Sequence, residues 1–252
     1  MVDSPAPPSF RLDGRTALIT GASRNIGRAI AVAFADAGAD LALVARDPER
    51  LSTTAASIRR ASGVQVTTIA ADVSTPVGLD SVVDELRGLP LDVLVNNAHT
   101  TGRPAPLLEA PDDVWAEVFA TNLWAPLRLC RELMPKLRES PAGAVVNLVS
   151  GSGLQPTPNL GPYGVSKSAL WMLTRFLAVE CAPDVRVNAL CPGLVSEDGE
   201  PRNDAHRAIV PTVPMGRVAR PEEIAGAAVY LASPAASYTT GELLIVNGGR
   251  PW

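Results

Sequence analysis

The chain has 252 residues, 46% apolar, 19% charged and 4% aromatic, with a net charge of −4 from 22 basic and 26 acidic side chains. That length suits one α/β domain with a large core, and the mildly acidic balance argues against a polyanion-binding surface and hence a nucleic-acid partner. MVDSPAPPSF at the start has neither a basic beginning nor an apolar centre, and no later stretch approaches the roughly 20 apolar residues of a membrane span, so a cytoplasmic protein without a membrane segment is expected.

Residues 1–11, rich in Pro and Ser, read as a disordered or draped arm, and the folded domain as 12–252. From there short apolar runs alternate with amphipathic ones. The strand-like runs are ALIT, LALVA, VQVTTIA, LDVLV, AVVNLVS, VRVNALC and ELLIV; the helix-like ones are 26–37, 48–61, 76–88, 111–139, 161–181 and 221–232. Pro48 and Pro221 fit the first helical position, each followed by acidic residues. The stretch 111–139 is long for one helix, and Pro126 predicts a kink in it. Strands alternating with helices imply an α/β fold, a doubly wound, seven-stranded parallel sheet with helices on both faces. The segment 196–220, dense in Pro and charge, is a candidate substrate lid. Cys130, Cys181 and Cys191 stand in apolar contexts as small core side chains, and neither they nor His99 and His206 show metal-ligand spacing.

Two groups of residues carry chemistry. The first run ends in Thr20-Gly21-Ala22-Ser23-Arg24-Asn25-Ile26-Gly27, a small-residue turn between strand and helix. Such a turn lets backbone approach a pyrophosphate while a helix N-terminus supplies N–H donors, as in Rossmann-type domains. The second run ends in Ala45-Arg46, where an NAD site usually has a carboxylate, and Arg24 adds another guanidinium; both favour the 2′-phosphate of NADPH unless they are merely solvated. Asp47, one residue on, is expected to point away. In the second group, Tyr163 and Lys167 share one helix face at a spacing of four, and Ser150 ends the strand before them. A phenol, an ammonium and a hydroxyl in this order are proton-transfer machinery.

These motifs resemble the short-chain dehydrogenase/reductases of the small single-domain type, close in pattern to the 3-oxoacyl-[acyl-carrier-protein] reductases, over about Leu12 to Gly249. TGASRNIG resembles the family's glycine loop, Asp72-Val73 its adenine-contacting pair and Asn96-Asn97-Ala98 its NNAG turn. Asn122, Ser150, Tyr163 and Lys167 fall on its catalytic residues, and Pro192-Gly193 on the turn flanking the nicotinamide. The resemblance implies NADPH held by Gly21, Ser23, Arg24, Asn25, Ile26, Gly27, Arg46, Asp72, Val73, Asn97, Ala98, Tyr163, Lys167, Pro192, Gly193 and Val195. It implies hydride transfer coupled to protonation by Tyr163, with Lys167 on the nicotinamide ribose and lowering the Tyr163 pKa, Ser150 on the carbonyl oxygen, and Asn122 supporting a bound water.

Asn25 departs from the family pattern at the loop's middle glycine, His99 at the glycine of NNAG, Glu197 at a frequent threonine and Asn247 at a frequent Asp. His99 either touches substrate or caps its loop, and Ser152 is a further substrate candidate. The expected activity is NADPH-dependent reduction of a carbonyl, in a 3-oxoacyl thioester or a secondary-metabolite ketone. Reduction of a C=N or C=C bond, or a non-catalytic NADP(H)-binding module, are the alternatives. Arg103, Arg202, Arg207 and Arg217 either form the basic patch that an acyl carrier protein needs or are scattered. A homo-oligomer, a tetramer or dimer, is expected through 111–139 and 161–181, with Leu123, Trp124, Leu127, Trp171, Leu173 and Phe176 at a helix–helix interface or in the core.

Overall fold

Alternation inside each short run decides the layers. In β1 (Thr16–Thr20), Ala17 and Ile19 face one side and Leu18 the other. The computed structural model, which describes residues 9–251, pairs all seven runs as parallel strands in the order β3-β2-β1-β4-β5-β6-β7. The others are β2 (Asp40–Ala45), β3 (Val66–Ala70), β4 (Val93–Asn96), β5 (Gly143–Leu148), β6 (Val185–Pro192) and β7 (Leu243–Val246). The central strands are apolar on both sides because helices cover both.

One face packs Ala17, Ile19, Leu43, Val95 and Val146 against Ile30 and Phe34 of α1 (Asn25–Asp36) and Ile224, Ala228 and Leu231 of α8 (Pro221–Ala232). The opposite face packs Leu18, Val44, Leu94 and Val145 against Val82 of α3 (Pro76–Glu85) and Leu129, Leu133 and Leu137 of α5 (Ala125–Glu139). Removing the Val, Leu, Ile and Phe side chains among these from water stabilises the fold by about 1.5–3 kcal/mol each, and the two clusters lock the register of the sheet.

Local chemistry sets the helix ends. The Asp47 carboxylate caps α2 (Pro48–Ser62), accepting from Glu49 and Arg50 N–H, and so is committed to its own helix. The stretch 111–139 is one continuous helical run with an irregularity inside it, as expected: α4 (Asp112–Phe119) passes through a π-helical turn, Ala120–Trp124, into α5. Pro126 follows directly, and because it has no N–H to bond the carbonyl one turn earlier, the irregularity falls just before it. It belongs to the wide turn that swings Asn122 inward.

α6 (Gly161–Cys181) follows the expected bounds, and α3 stops three residues short of them. The segment 196–220 contains a short helix unseen in the sequence pattern, α7 (Asp204–Ile209), capped by Asn203. The expected N-terminal arm falls mostly outside the described residues; within them Phe10 packs against Tyr230, and Leu12 is buried. Among the described residues no helix is long and apolar enough to cross a membrane. The three cysteines are buried and unpaired.

Candidate active site

Strand order reverses direction between β1 and β4, and the carboxyl ends of these strands diverge around a cleft of about 780 Å³. The glycine loop forms its floor. Asn25 has a φ of 47°, the left-handed conformation that Asn tolerates better than most residues, so the turn survives loss of the family's glycine. Gly27 permits the close approach of α1 to the loop: a Cβ there would lie 2.2 Å from the Gly21 carbonyl oxygen and 2.4 Å from Asn97 Nδ2. Asn97 ties the loop to β4 by donating to the Thr20 and Gly21 carbonyls at 2.8 and 3.2 Å. These features fit a nucleotide pyrophosphate at the N-terminus of α1.

Gly21, Ser23, Arg24, Asn25, Ile26 and Gly27 all line this cleft, as do Arg46, Asp72, Val73, Asn97 and Ala98. The Asp72 carboxylate accepts from Ser74 N–H and Oγ, and Arg46 stands 4.0 Å from it. Arg24 makes no ion pair among the described residues. Pro192, Gly193 and Val195 are not part of the lining: Gly193 N–H bonds to Val246 at the end of β7, and Val195 packs on the core. Their segment reaches the cleft through Glu197 and Asp198 instead.

Next to His99, α6 brings Tyr163 and Lys167 to one buried face that, like Pro192 and Gly193, is not in the lining of this cleft, with Lys167 Nζ 5.9 Å from the centre of the Tyr163 ring. Lys167 Nζ donates to the Leu148 carbonyl at 2.7 Å, and burial pushes its pKa down to about 7. Burial pushes the Tyr163 phenol up, partly offset by the Ser150 hydroxyl. This reverses the expectation that Lys167 lowers it: the ammonium is turned to the Leu148 carbonyl, and the phenolate would lie in a desolvated site. Ser150 ends its strand run and accepts from Ser152 N–H at 3.2 Å, leaving its own proton for another acceptor.

Asn122 is fully buried. Its Nδ2 donates to the Thr100 carbonyl and Ser166 Oγ at 2.9 and 3.0 Å, and its Oδ1 accepts from Thr100 N–H at 2.9 Å. Its side chain therefore braces the active-site loop against α6. His99 opens onto the cleft, with its Nδ1 3.2 Å from the Asn97 carbonyl and its ring centre 6.3 Å from that of Tyr163. Surrounding protein and then the Lys167 charge push its pKa down to about 4. Ser152 is not with it. That side chain bonds to Thr157 at 2.9 Å and lines a separate groove with Leu107, Leu154 and Val165.

Three contributors escaped sequence reasoning. Thr20 Oγ1 accepts from Asn97 and Ala98 N–H, both at 3.0 Å, and so joins the glycine loop to the active-site turn. Buried Ser166 links Asn122 to the Tyr163 carbonyl; a small polar residue one turn from Tyr163 was the available signal. Glu197, noted only as a departure, places Oε1 3.3 Å from Asn25 N–H, so a carboxylate of the chain itself sits on the N-terminus of α1.

A family model described as enoyl-(acyl carrier protein) reductase matches residues 21–250. The chain belongs to the short-chain dehydrogenase/reductase family. It is 39% identical to a galactitol 2-dehydrogenase (L-tagatose-forming) of Cereibacter sphaeroides, over 95% of this chain and 96% of that one. With the 3-oxoacyl-[acyl-carrier-protein] reductase of Chlamydia trachomatis it shares 34% identity, over 94% of this chain and 98% of the relative. Its structure resembles that of L-sorbose reductase from Gluconobacter frateurii, solved with NADPH and L-sorbose, with a TM-score of 0.88, 36% identity, and coverage of 96% and 98%. Like this family, the protein is an oxidoreductase acting on alcohols or ketones with a nicotinamide cofactor.

Proposed function

We propose that the protein is an NADPH-dependent reductase of a small ketone, with Tyr163 as proton donor. The observation that carries this reading is the meeting of Ser150, Tyr163 and Lys167 beside a cleft whose far end bears Arg24 and Arg46. Bound NADPH supplies the hydride for the carbonyl carbon. Tyr163, kept protonated by burial, gives its proton to the carbonyl oxygen, while the Ser150 hydroxyl donates to that oxygen and stabilises its growing charge. Lys167 holds the nicotinamide ribose hydroxyls. Arg24 and Arg46 hold the 2′-phosphate; Asp47 does not point away as expected but lines the same cleft, its carboxylate engaged by the Glu49 and Arg50 N–H groups of the helix it caps.

A small, hydroxylated ketone fits better than an acyl carrier thioester. Arg103, Arg207 and Arg217, expected in a basic patch, pair with Asp113, Asp204 and Glu223, while Arg202 faces the cofactor cleft. Relatives named for galactitol and L-sorbose point the same way. The family model's description as an enoyl reductase favours C=C reduction as the second reading.

Oligomerisation would use the outer face of α6. Phe176 and Trp124 are exposed, as are Met172 and Val179; Trp171 and Leu173 are partly buried, and Leu123 packs internally. Absorbance loss of NADPH against NADH, with ketoses, cyclic ketones, an acetoacetyl thioester and a crotonyl thioester, tests the whole reading. Turnover of ketones with NADPH, lost by about 100-fold or more in Tyr163→Phe, is the expected result. Crotonyl turnover alone would replace it with the second reading, and NADH preference would overturn the arginine assignment.

A further inference from the structure

His99 stands where the family's turn has glycine, and the proton-transfer scheme makes no use of it. Its Nδ1 lies 3.2 Å from the Asn97 carbonyl oxygen. A carbonyl only accepts, so Nδ1 carries the ring proton and Nε2 is the bare acceptor. The ring is exposed to the cleft, and Nε2 has no hydrogen-bond partner among the described residues. Protonation would cancel that acceptor, but enclosure by protein and the nearby Lys167 and Arg24 charges keep the imidazole neutral.

Two polar groups of opposite sense thus stand side by side, with ring centres 6.3 Å apart: the Tyr163 phenol, a donor, and His99 Nε2, an acceptor. From this we infer that His99 is a specificity residue that selects ketones carrying a hydroxyl on a carbon next to the carbonyl. The carbonyl oxygen takes the Tyr163 and Ser150 protons while the hydroxyl donates to His99 Nε2. A site built to bond a hydroxyl discriminates against an analogue lacking it, because its own acceptor is then desolvated without a partner. A glycine at this position would offer only space. The inference rests on the ketone-reductase reading and adds the group that substrate must carry.

The test compares near-isosteric pairs, hydroxyacetone against butanone and 2-hydroxycyclohexanone against 2-methylcyclohexanone, by kcat/KM with NADPH. For the wild type the hydroxyketone is favoured by about tenfold or more in each pair. His99→Leu brings the ratio close to one, and His99→Gln, which keeps an acceptor, retains part of it. Should His99→Leu fold poorly, His99→Gly, the residue usual in this turn, serves the same comparison. NADPH affinity is measured in parallel by fluorescence titration to separate substrate from cofactor effects. A wild type without preference, or a ratio unchanged in both His99→Leu and His99→Gly, refutes the specificity role while leaving the reductase intact. Lack of turnover with all four ketones, despite NADPH binding, refutes the ketone-reductase reading and this inference with it.

Discussion

Lys167→Met isolates the energetic consequence of burying an ammonium beneath the active site. Burial lowers the Lys167 pKa to about 7 from an ordinary 10.5. Below about pH 7 both folded and unfolded chains carry the proton, and the folded state bears the full desolvation penalty. Between about 7 and 10.5 the unfolded chain binds a proton that the folded one does not, so stability rises with pH. From about pH 6 to 9 the rise due to this single group is about 2–3 kcal/mol, taking 1.36 kcal/mol per pH unit across the part of the window covered. The variant also loses the 2.7 Å bond to the Leu148 carbonyl, but that loss costs about 1–3 kcal/mol at every pH. The slope is therefore the readout. Its neighbours stay in one state throughout, since Tyr163 and Cys191 are pushed upward and His99 down to about 4. Urea unfolding of both cofactor-free proteins at several pH values gives the wild-type minus variant difference. It should become more favourable to the wild type as pH rises; a flat difference would show that Lys167 stays charged in the fold without penalty.

Gly27→Ala should abolish cofactor binding or folding, because its Cβ would meet the Gly21 carbonyl at 2.2 Å; NADPH binding within twofold of wild type would refute the close-approach argument. Asn122→Ala strands the N–H and carbonyl of Thr100 and should lower unfolding free energy by about 2–4 kcal/mol. A loss under about 1 kcal/mol in urea titration would mean that the brace matters little. Glu197→Gln removes the carboxylate that occupies the α1 N-terminus and should tighten NADPH binding roughly two- to fivefold at low salt. Unchanged or weaker binding would show that Glu197 does not compete with the pyrophosphate.

Periodicity and motif spacing made the sheet legible. All seven apolar runs became strands, because alternating burial on two faces leaves a strong local imprint, and Pro48 and Pro221 announced their helices. The π-turn at Ala120–Trp124 left only Pro126 as an imprint, because the contacts of its Asn122 side chain with Thr100 and Ser166 are distant in sequence. Tyr163, Lys167 and Ser150 were recognisable together because their order and spacing are chemical requirements. Which way each side chain leans was not. The Lys167 amine turning to a backbone carbonyl, Ser152 falling into another groove, and Glu197 reaching Asn25 all depend on loop paths that a linear pattern does not encode. The arginines illustrate the same limit, since the sequence left patch or scatter open and only the structure shows Arg103, Arg207 and Arg217 paired with carboxylates.

Helix α6 presents Tyr163 and Lys167 inward, and it bares Met172, Phe176 and Val179 outward. From Tyr163 to Val179 is roughly 24 Å of continuous helix at 1.5 Å per residue. One helix thus serves two surfaces at once, the catalytic face at its first turns and an exposed apolar face farther along.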